Sequence, residues 1–255
     1  MNIKKAGIIR HPDVEERELI DNIIETLKKN NIEIFFDIPL AKSIGVSGTE
    51  IRDMDVDVAI TIGGDGTILW TLNELRCNPL ILAINAGRFG FLSELKRENA
   101  VTGLNSLIKG KFSVDPRTKI KINNQFEALN EVSILPEIAG SLLEFEIKLK
   151  DEKLDTLRAD GVIVSTQTGS TAYNLSAGGP IIQKGANVFA VTPVNPFMHT
   201  RRTTVVSEDS KIYIKLIRKD RNAQLLCDGI LKDKVHPFET VTVEKSEKVI
   251  NFVRF

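Results

Sequence analysis

A chain of 255 residues, 42% hydrophobic and 27% charged, has an ordinary globular composition and room for one large or, as we expect, two smaller cores. Lys plus Arg and Asp plus Glu both total 34, so no global field draws the molecule to nucleic acid or to a membrane surface. No apolar run approaches the length of a bilayer span, and the first residues lead into a short strand instead of a signal-peptide core, which predicts a cytoplasmic protein. Cys77 and Cys227 are the only cysteines, too few for a disulfide framework or a zinc site, and are expected to be reduced packing residues.

The first part of the chain alternates strand and helix. Residues 5–10 predict a strand; Asp13 and Glu16 then have capping-box spacing ahead of Leu19, Ile20, Ile23, Ile24 and Leu27 at helical intervals. Residues 32–36 predict the second strand, 41–57 a Gly- and Ser-containing connection, and 58–62 the third strand. A helix over 67–76, with Trp70 in the core, a buried strand over 79–85, a second glycine-containing loop over 86–92 and a helix over 98–108 complete the pattern. From about residue 111 the period changes to two. Residues 119–128 read as a hairpin, and Leu143, Phe145, Ile147 and Leu149, then Ile212, Ile214 and Leu216, then Val241 and Val243 alternate with polar neighbours. The expected architecture is an α/β N-terminal domain with a Rossmann-like open sheet over 1–112, followed by a β-rich C-terminal domain over 113–255 whose last strand can return to the first domain.

Gly63-Gly64-Asp65-Gly66-Thr67 joins the third strand to the helix after it. Three glycines in four positions allow positive φ angles and let a ligand reach backbone N–H groups that no Cβ shields, which is phosphate-loop chemistry. A carboxylate among them is expected to face those phosphates if a metal ion or a reacting hydroxyl lies between. The lesser alternative is that Asp65 caps the following helix as part of a plain turn. Neither Gly-x-Gly-x-x-Gly nor a P-loop signature occurs, so neither accounts for these glycines.

Three features of the second half carry possible chemistry. Asn130-Glu131 offers an amide and a carboxylate that could grip two sugar hydroxyls, or be two exposed edge residues. The run from Asp160 through Thr168, Gly169, Ser170, Thr171, Ala172, Tyr173, Asn174, Leu175 and Ser176 to Gly178-Gly179-Pro180 is too rich in small and hydroxyl side chains to build a core by itself. Asp228-Gly229 is a candidate site element or a plain hairpin turn.

Together these segments, in this order and spacing, resemble the NAD kinases over nearly the whole chain. The Gly-Gly-Asp-Gly element alone is shared with diacylglycerol, sphingosine and phosphofructokinases; the run from Asp160 to Pro180 selects the NAD kinases. The resemblance implies transfer of a phosphoryl group from ATP or polyphosphate to the 2′-hydroxyl of the adenosine ribose of NAD, with a divalent cation, Mg²⁺ by expectation. It assigns Asp65 as proton acceptor, with the cation-ligand role left open, and Gly64, Gly66, Thr67 and Phe91 to the nucleotide loops. Asn130 and Glu131 take the ribose hydroxyls. Arg158, Asp160, Thr168, Thr171, Ala172, Tyr173, Asn174, Leu175, Ser176 and Asn195 line the pocket for the dinucleotide, and Asp228 lies opposite. It also implies a homodimer or homotetramer with the site in a cleft. Gln167 stands where the family has Pro, and Asn195-Pro196-Phe197-Met198 replaces a Cys-Pro-His-Ser element that commonly crosses a subunit interface. The rival functions are a lipid or sugar-phosphate kinase of the same superfamily and a non-catalytic NAD or NADP sensor.

Overall fold

The computed structural model describes residues 3–87, 90–150, 152–197 and 202–255; Arg88 and Phe89 of the expected second loop, and Met198, lie outside them. The chain forms two compact units, Met1–Arg117 with Ile250–Phe255 (unit 1) and Thr118–Val249 (unit 2).

Unit 1 is an open parallel α/β layer. Its strands are β1 (Lys5–Arg10), β2 (Glu33–Phe36), β3 (Val58–Gly63), β4 (Leu80–Asn85) and the two-residue β5 (Leu95–Lys96). The order is β2-β1-β3-β4, all parallel. Polar and apolar residues do not alternate along β3 because both sheet faces are covered, and the strand is buried at all six positions. Helices α1 (Arg17–Lys29) and α4 (Ala100–Ile108) share one core with Ala6, Ile8, Ile60, Ile62, Leu82 and Ile84. Helix α3 (Asp65–Glu74) packs on β1 and β3 with its own buried Ile68 and Leu72, which are not part of that cluster, and so takes the other face.

The sequence expectations for unit 1 need four corrections. The capping box does not form: Glu16 is the N-cap of α1 without a side-chain bond, and its carboxylate instead takes Arg97 at 2.5 Å. The expected connection after β2 contains helix α2 (Ile38–Ile44), capped by Asp37, whose Oδ1 accepts the Leu40 N–H at 2.9 Å, and ended by Gly45 at φ 75°. Helix α3 starts at Asp65, two residues earlier than its periodicity suggests. Trp70 is 37% exposed, not core.

Unit 2 is a sandwich of two antiparallel layers. One layer has the order β10-β9-β14-β17, built from β9 (Leu143–Leu149), β10 (Glu152–Ala159), β14 (Ile212–Leu216) and β17 (Thr240–Arg254), with the hairpin of β6 (Ser113–Ile122) and β7 (Phe126–Ala128). The other layer has the order β13-β12-β11-β8-β15-β16, from β8 (Glu131–Pro136), β11 (Gly161–Ser165), β12 (Val188–Val194), β13 (Thr204–Ser207), β15 (Ala223–Cys227) and β16 (Ile230–Val235). Their inward side chains, among them Phe145, Ile147, Val162, Phe189, Ile214, Leu225 and Val241, make one buried core. Strand β17 passes out of unit 2 and ends in unit 1, where Asn251 and Phe252 pair in parallel with Leu80 and Ile81 of β4. No helix among the described residues is long and apolar enough to cross a membrane.

Candidate nucleotide and phosphoryl-transfer site

In unit 1 the strand order changes direction between β1 and β3, and the Gly-Gly-Asp-Gly loop follows the carboxyl end of β3. That edge, at such a switch point, is where open α/β sheets bind ligands. None of Gly63, Gly64 or Gly66 takes a positive φ, so torsional freedom is not why glycines stand there. A Cβ on Gly63 would lie 2.2 Å from Thr67 Oγ1, so this glycine lets β3 and α3 pack closely; Thr67 itself is buried behind the loop. A Cβ on Gly64 or Gly66 would meet nothing within 4 Å. Open space therefore adjoins the first turn of α3; the Thr67 N–H is given to the Gly64 carbonyl at 3.0 Å, and the leading N–H groups before it suit an anion.

Asp65 is the first residue of α3, not its cap. Its carboxylate is tied to the second loop, Oδ2 accepting the Phe91 N–H at 2.8 Å and Oδ1 the Leu92 N–H at 3.3 Å. The sequence predicts a carboxylate that faces a ligand's phosphates, and does not foresee the backbone bonds to the second loop. Each oxygen nevertheless keeps a second lone pair for a hydroxyl or a cation. Phe91, by contrast, is bound here through its backbone, and its ring is 75% exposed. Asn85, absent from the expected site, is paired with Gly63 across the sheet and turns its amide toward Gly90 beside Asp65. Only the adjacency of two strand ends reveals it.

The described residues hold no group of three or more His, Cys, Asp or Glu that could cage a metal ion. A lone Asp65 fits a cation such as Mg²⁺, which keeps its waters and is held largely by substrate phosphates.

In unit 2 the expected residues fall into two clusters. At one end of β11, Glu131 pairs with Ser165, and the Thr166 N–H donates to the Asn130 carbonyl at 2.9 Å. Gly169 fits against that same carbonyl so closely that a Cβ would lie 2.1 Å from it. The chain then makes a short turn, Gly169–Thr171, and the one-turn helix α5 (Tyr173–Ser176), which leaves Tyr173, Leu175 and Ser176 exposed, Thr171 and Ala172 half-buried, and Thr168 buried. Asp228-Gly229 is the two-residue hairpin between β15 and β16, both residues at positive φ. It is also more than a turn, because the Asp228 carboxylate accepts the backbone N–H groups of Leu129, Asn130 and Glu131 at 2.8, 2.7 and 3.2 Å.

Glu131 is buried, and Oε2 has no hydrogen-bond partner. Burial, then the neighbouring Asp228 charge, push its carboxyl up to about 7, against a backbone bond from Tyr173. A buried, unpartnered carboxyl oxygen beside a glycine- and hydroxyl-rich turn has the chemistry to accept a hydroxyl. Asn174 behaves differently. It is fully buried, its Nδ2 donating to the Ser170 and Pro180 carbonyls and its Oδ1 accepting from Thr192 Oγ1 at 2.6 Å, so its amide organises the turn.

The second cluster stands at the opposite end of β11, about 17 Å away for a five-residue strand. Asn195 Nδ2 donates to Asp160 Oδ2 at 3.1 Å, and the Arg158 guanidinium lies 5.4 Å from the centre of the exposed Phe197 ring.

Comparison with known proteins gives these sites a context. Residues 6–112 match the ATP-NAD kinase N-terminal domain and residues 129–255 the ATP-NAD kinase C-terminal domain. The chain is 38% identical to an NAD kinase of Methanothermobacter thermautotrophicus and 38% identical to one of Chlorobium phaeobacteroides, in each case over 98% of this chain and 91% of the relative. An NAD kinase from Archaeoglobus fulgidus, solved in complex with ATP, superposes with a TM-score of 0.82 at 28% identity, covering 97% of this chain and 92% of that one. Yeast NADH kinase, solved with NADH, shares the fold at a TM-score of 0.92 and 23% identity over 100% of this chain and 84% of its own. Two domain matches that leave little of the chain uncovered, and relatives of this identity over nearly full length, mean that the chain belongs to the NAD kinase family.

Proposed function

We propose that the protein phosphorylates NAD, transferring the γ-phosphoryl of ATP to the 2′-hydroxyl of the adenosine ribose and yielding NADP. The observation that carries this is Asp65, a fixed carboxylate on the first turn of α3 beside two glycines with open space over them. A ribose hydroxyl is a poor nucleophile, and phosphoryl transfer is helped chiefly by in-line placement and charge neutralisation. Asp65 orients the hydroxyl and accepts its proton as the bond to phosphorus forms. The first-turn N–H groups of α3 suit the phosphate charge. A divalent cation, Mg²⁺ by this reading, would supply charge neutralisation on the donor phosphates; in the alternative role for Asp65, its carboxylate would hold that cation in place of taking the proton. Asn130 and the buried carboxyl of Glu131 hold ribose hydroxyls, and the exposed Tyr173 and the turn around Thr171 receive a base.

The separation of Arg158, Asp160 and Asn195 from Glu131 supports a homo-oligomer, dimer or tetramer, in which those three serve the site of a second copy. A cytoplasmic location completes the proposal.

The test is to incubate purified protein with Mg²⁺, ATP and NAD and to detect NADP with an NADP-specific dehydrogenase. NADP is expected from the wild type, with a fall of about a hundredfold or more in Asp65→Asn. Tight NAD binding without NADP formation would sink the kinase reading in favour of a sensor, unless polyphosphate in place of ATP restores turnover.

A further inference from the structure

The outer face of the β10-β9-β14-β17 layer in unit 2 takes no part in the site above. Its inward side chains, Phe145, Ile147, Ile212, Ile214, Val241 and Val243, are buried in the sandwich, so by the period of two the intervening residues face away from that core. Glu146, Lys148, Lys150, Tyr213, Lys215 and Thr240 there line a cavity of about 670 Å³. Register places Tyr213 opposite Lys148 and Lys215 opposite Glu146.

The charges follow a pattern. Glu146 is 3.0 Å from Lys148, and Lys153 and Lys215 add to the field that holds its carboxyl below the usual range. Glu244 takes Lys121 at 3.1 Å and Lys211 at 3.2 Å. Two carboxylates thus pair three ammonium groups, Lys148, Lys121 and Lys211; Lys153 and Lys215 act on Glu146 through their charge, and Lys150 adds a sixth ammonium. The local excess is positive in a chain whose charges balance overall at 34 and 34. Each carboxylate fixes the lysines it pairs and leaves the face with a positive excess, which lowers the entropy lost when an anion binds.

We propose that this face binds an extended phosphate chain, an inorganic oligophosphate. The lysines are distributed over β10, β9, β14 and β6, several strand spacings of about 4.8 Å, so one phosphate cannot engage them together. The cavity presents ammonium and hydroxyl donors, and its one carboxylate is already held by lysine. Single-stranded nucleic acid would need aromatic faces for its bases; the cavity's one ring, Tyr213, has the Lys211 ammonium 5.9 Å from its centre.

The experiment titrates the full chain with inorganic tripolyphosphate and, separately, an oligothymidylate of matched charge, by calorimetry at about 50 and about 200 mM salt. Wild type is expected to bind the phosphate chain with salt-dependent affinity. Lys148→Ala with Lys215→Ala should weaken it by about tenfold or more, while Lys109→Ala with Lys111→Ala leaves it unchanged. NADP formation from ATP should be the same in both variants. Equal binding by both lysine variants, or equal weakening by both, would overturn the proposal, as would preference for the oligothymidylate. A change of oligomeric state on mutating Lys148 and Lys215, seen by light scattering, would also overturn it and make the face a contact between copies.

Discussion

Asp228 holds Asn130 across 98 residues of chain: its Oδ1 accepts the Asn130 backbone N–H at 2.7 Å. With Leu129 and Glu131 bound as well, one carboxylate fixes the strand start that aims both site side chains. Asp228→Ala would leave three N–H groups without an acceptor, each costing about 1–3 kcal/mol where water cannot replace it. We expect unfolding free energy to drop by about 3 kcal/mol or more in urea titration, and the Michaelis constant for NAD to rise. Asp228→Asn keeps one acceptor oxygen and should do about half as much damage. Wild-type stability in the alanine variant would refute the clamp.

Glu131 should make stability depend on pH. Its ordinary value is 4.5 and burial with Asp228 pushes it up to about 7, so between the two the folded chain keeps a proton that the unfolded chain has lost. Stability from this group is therefore fully present below about pH 4.5 and is lost as pH rises through about 7, by about 3 kcal/mol in all. Denaturant midpoints measured across that window should decline in the wild type and stay flatter in Glu131→Gln. Parallel declines in the two proteins would remove Glu131 as the cause.

Glycine substitutions should separate packing from ligand approach. Gly169→Ala drives a Cβ into the Asn130 carbonyl at 2.1 Å and should lower the melting temperature steeply. Gly66→Ala meets no protein atom within 4 Å and should melt as the wild type does, yet lose NADP formation because the Cβ occupies the ligand's space. Full activity in Gly66→Ala would mean that nothing needs to come so near the loop.

If Arg158, Asp160 and Asn195 serve a second copy, two inactive variants should complement. Co-expressed Asp65→Asn and Asp160→Ala chains that pair at random form about half of their dimers with one intact site, and about a quarter of wild-type activity should return. Mixed dimers with no activity would assign Asp160 to the site of its own chain.

The four main strands of unit 1 and the alternating strands β9, β14 and part of β17 in unit 2 were legible because burial on one face or on two leaves different sequence patterns, as β9 and β3 show; β10, β12, β13, β15 and β16 were not read. Helix α2 carried a readable signal too, an Asp cap at Asp37, Pro39 in the first turn and Gly45 at the end, but seven residues gave too little periodicity to override the nearby Gly and Ser. Trp70 was misplaced because a single large apolar residue says nothing of which helix face meets the sheet. In the site, residue types were informative and their division of labour was not. Asn174 and Tyr173 are neighbours in one motif, yet the first is sealed inside by three hydrogen bonds and the second is exposed, a difference that only the turn geometry decides. Asn85 was invisible because its relation to Asp65 passes through a strand pairing and not through sequence distance.

Strand β17 delays the completion of unit 1 until the chain is almost fully synthesised. Residues 3–117 leave the ribosome first, but the pairing partner of Leu80 and Ile81, and Phe252 and Val253 that are buried beside them, are translated only after all of unit 2. Until then β4 presents unpaired backbone groups on a strongly apolar strand, a template for misassociation. A chaperone that shields nascent chains would therefore matter most to this protein in the interval between the synthesis of residue 85 and that of residue 252.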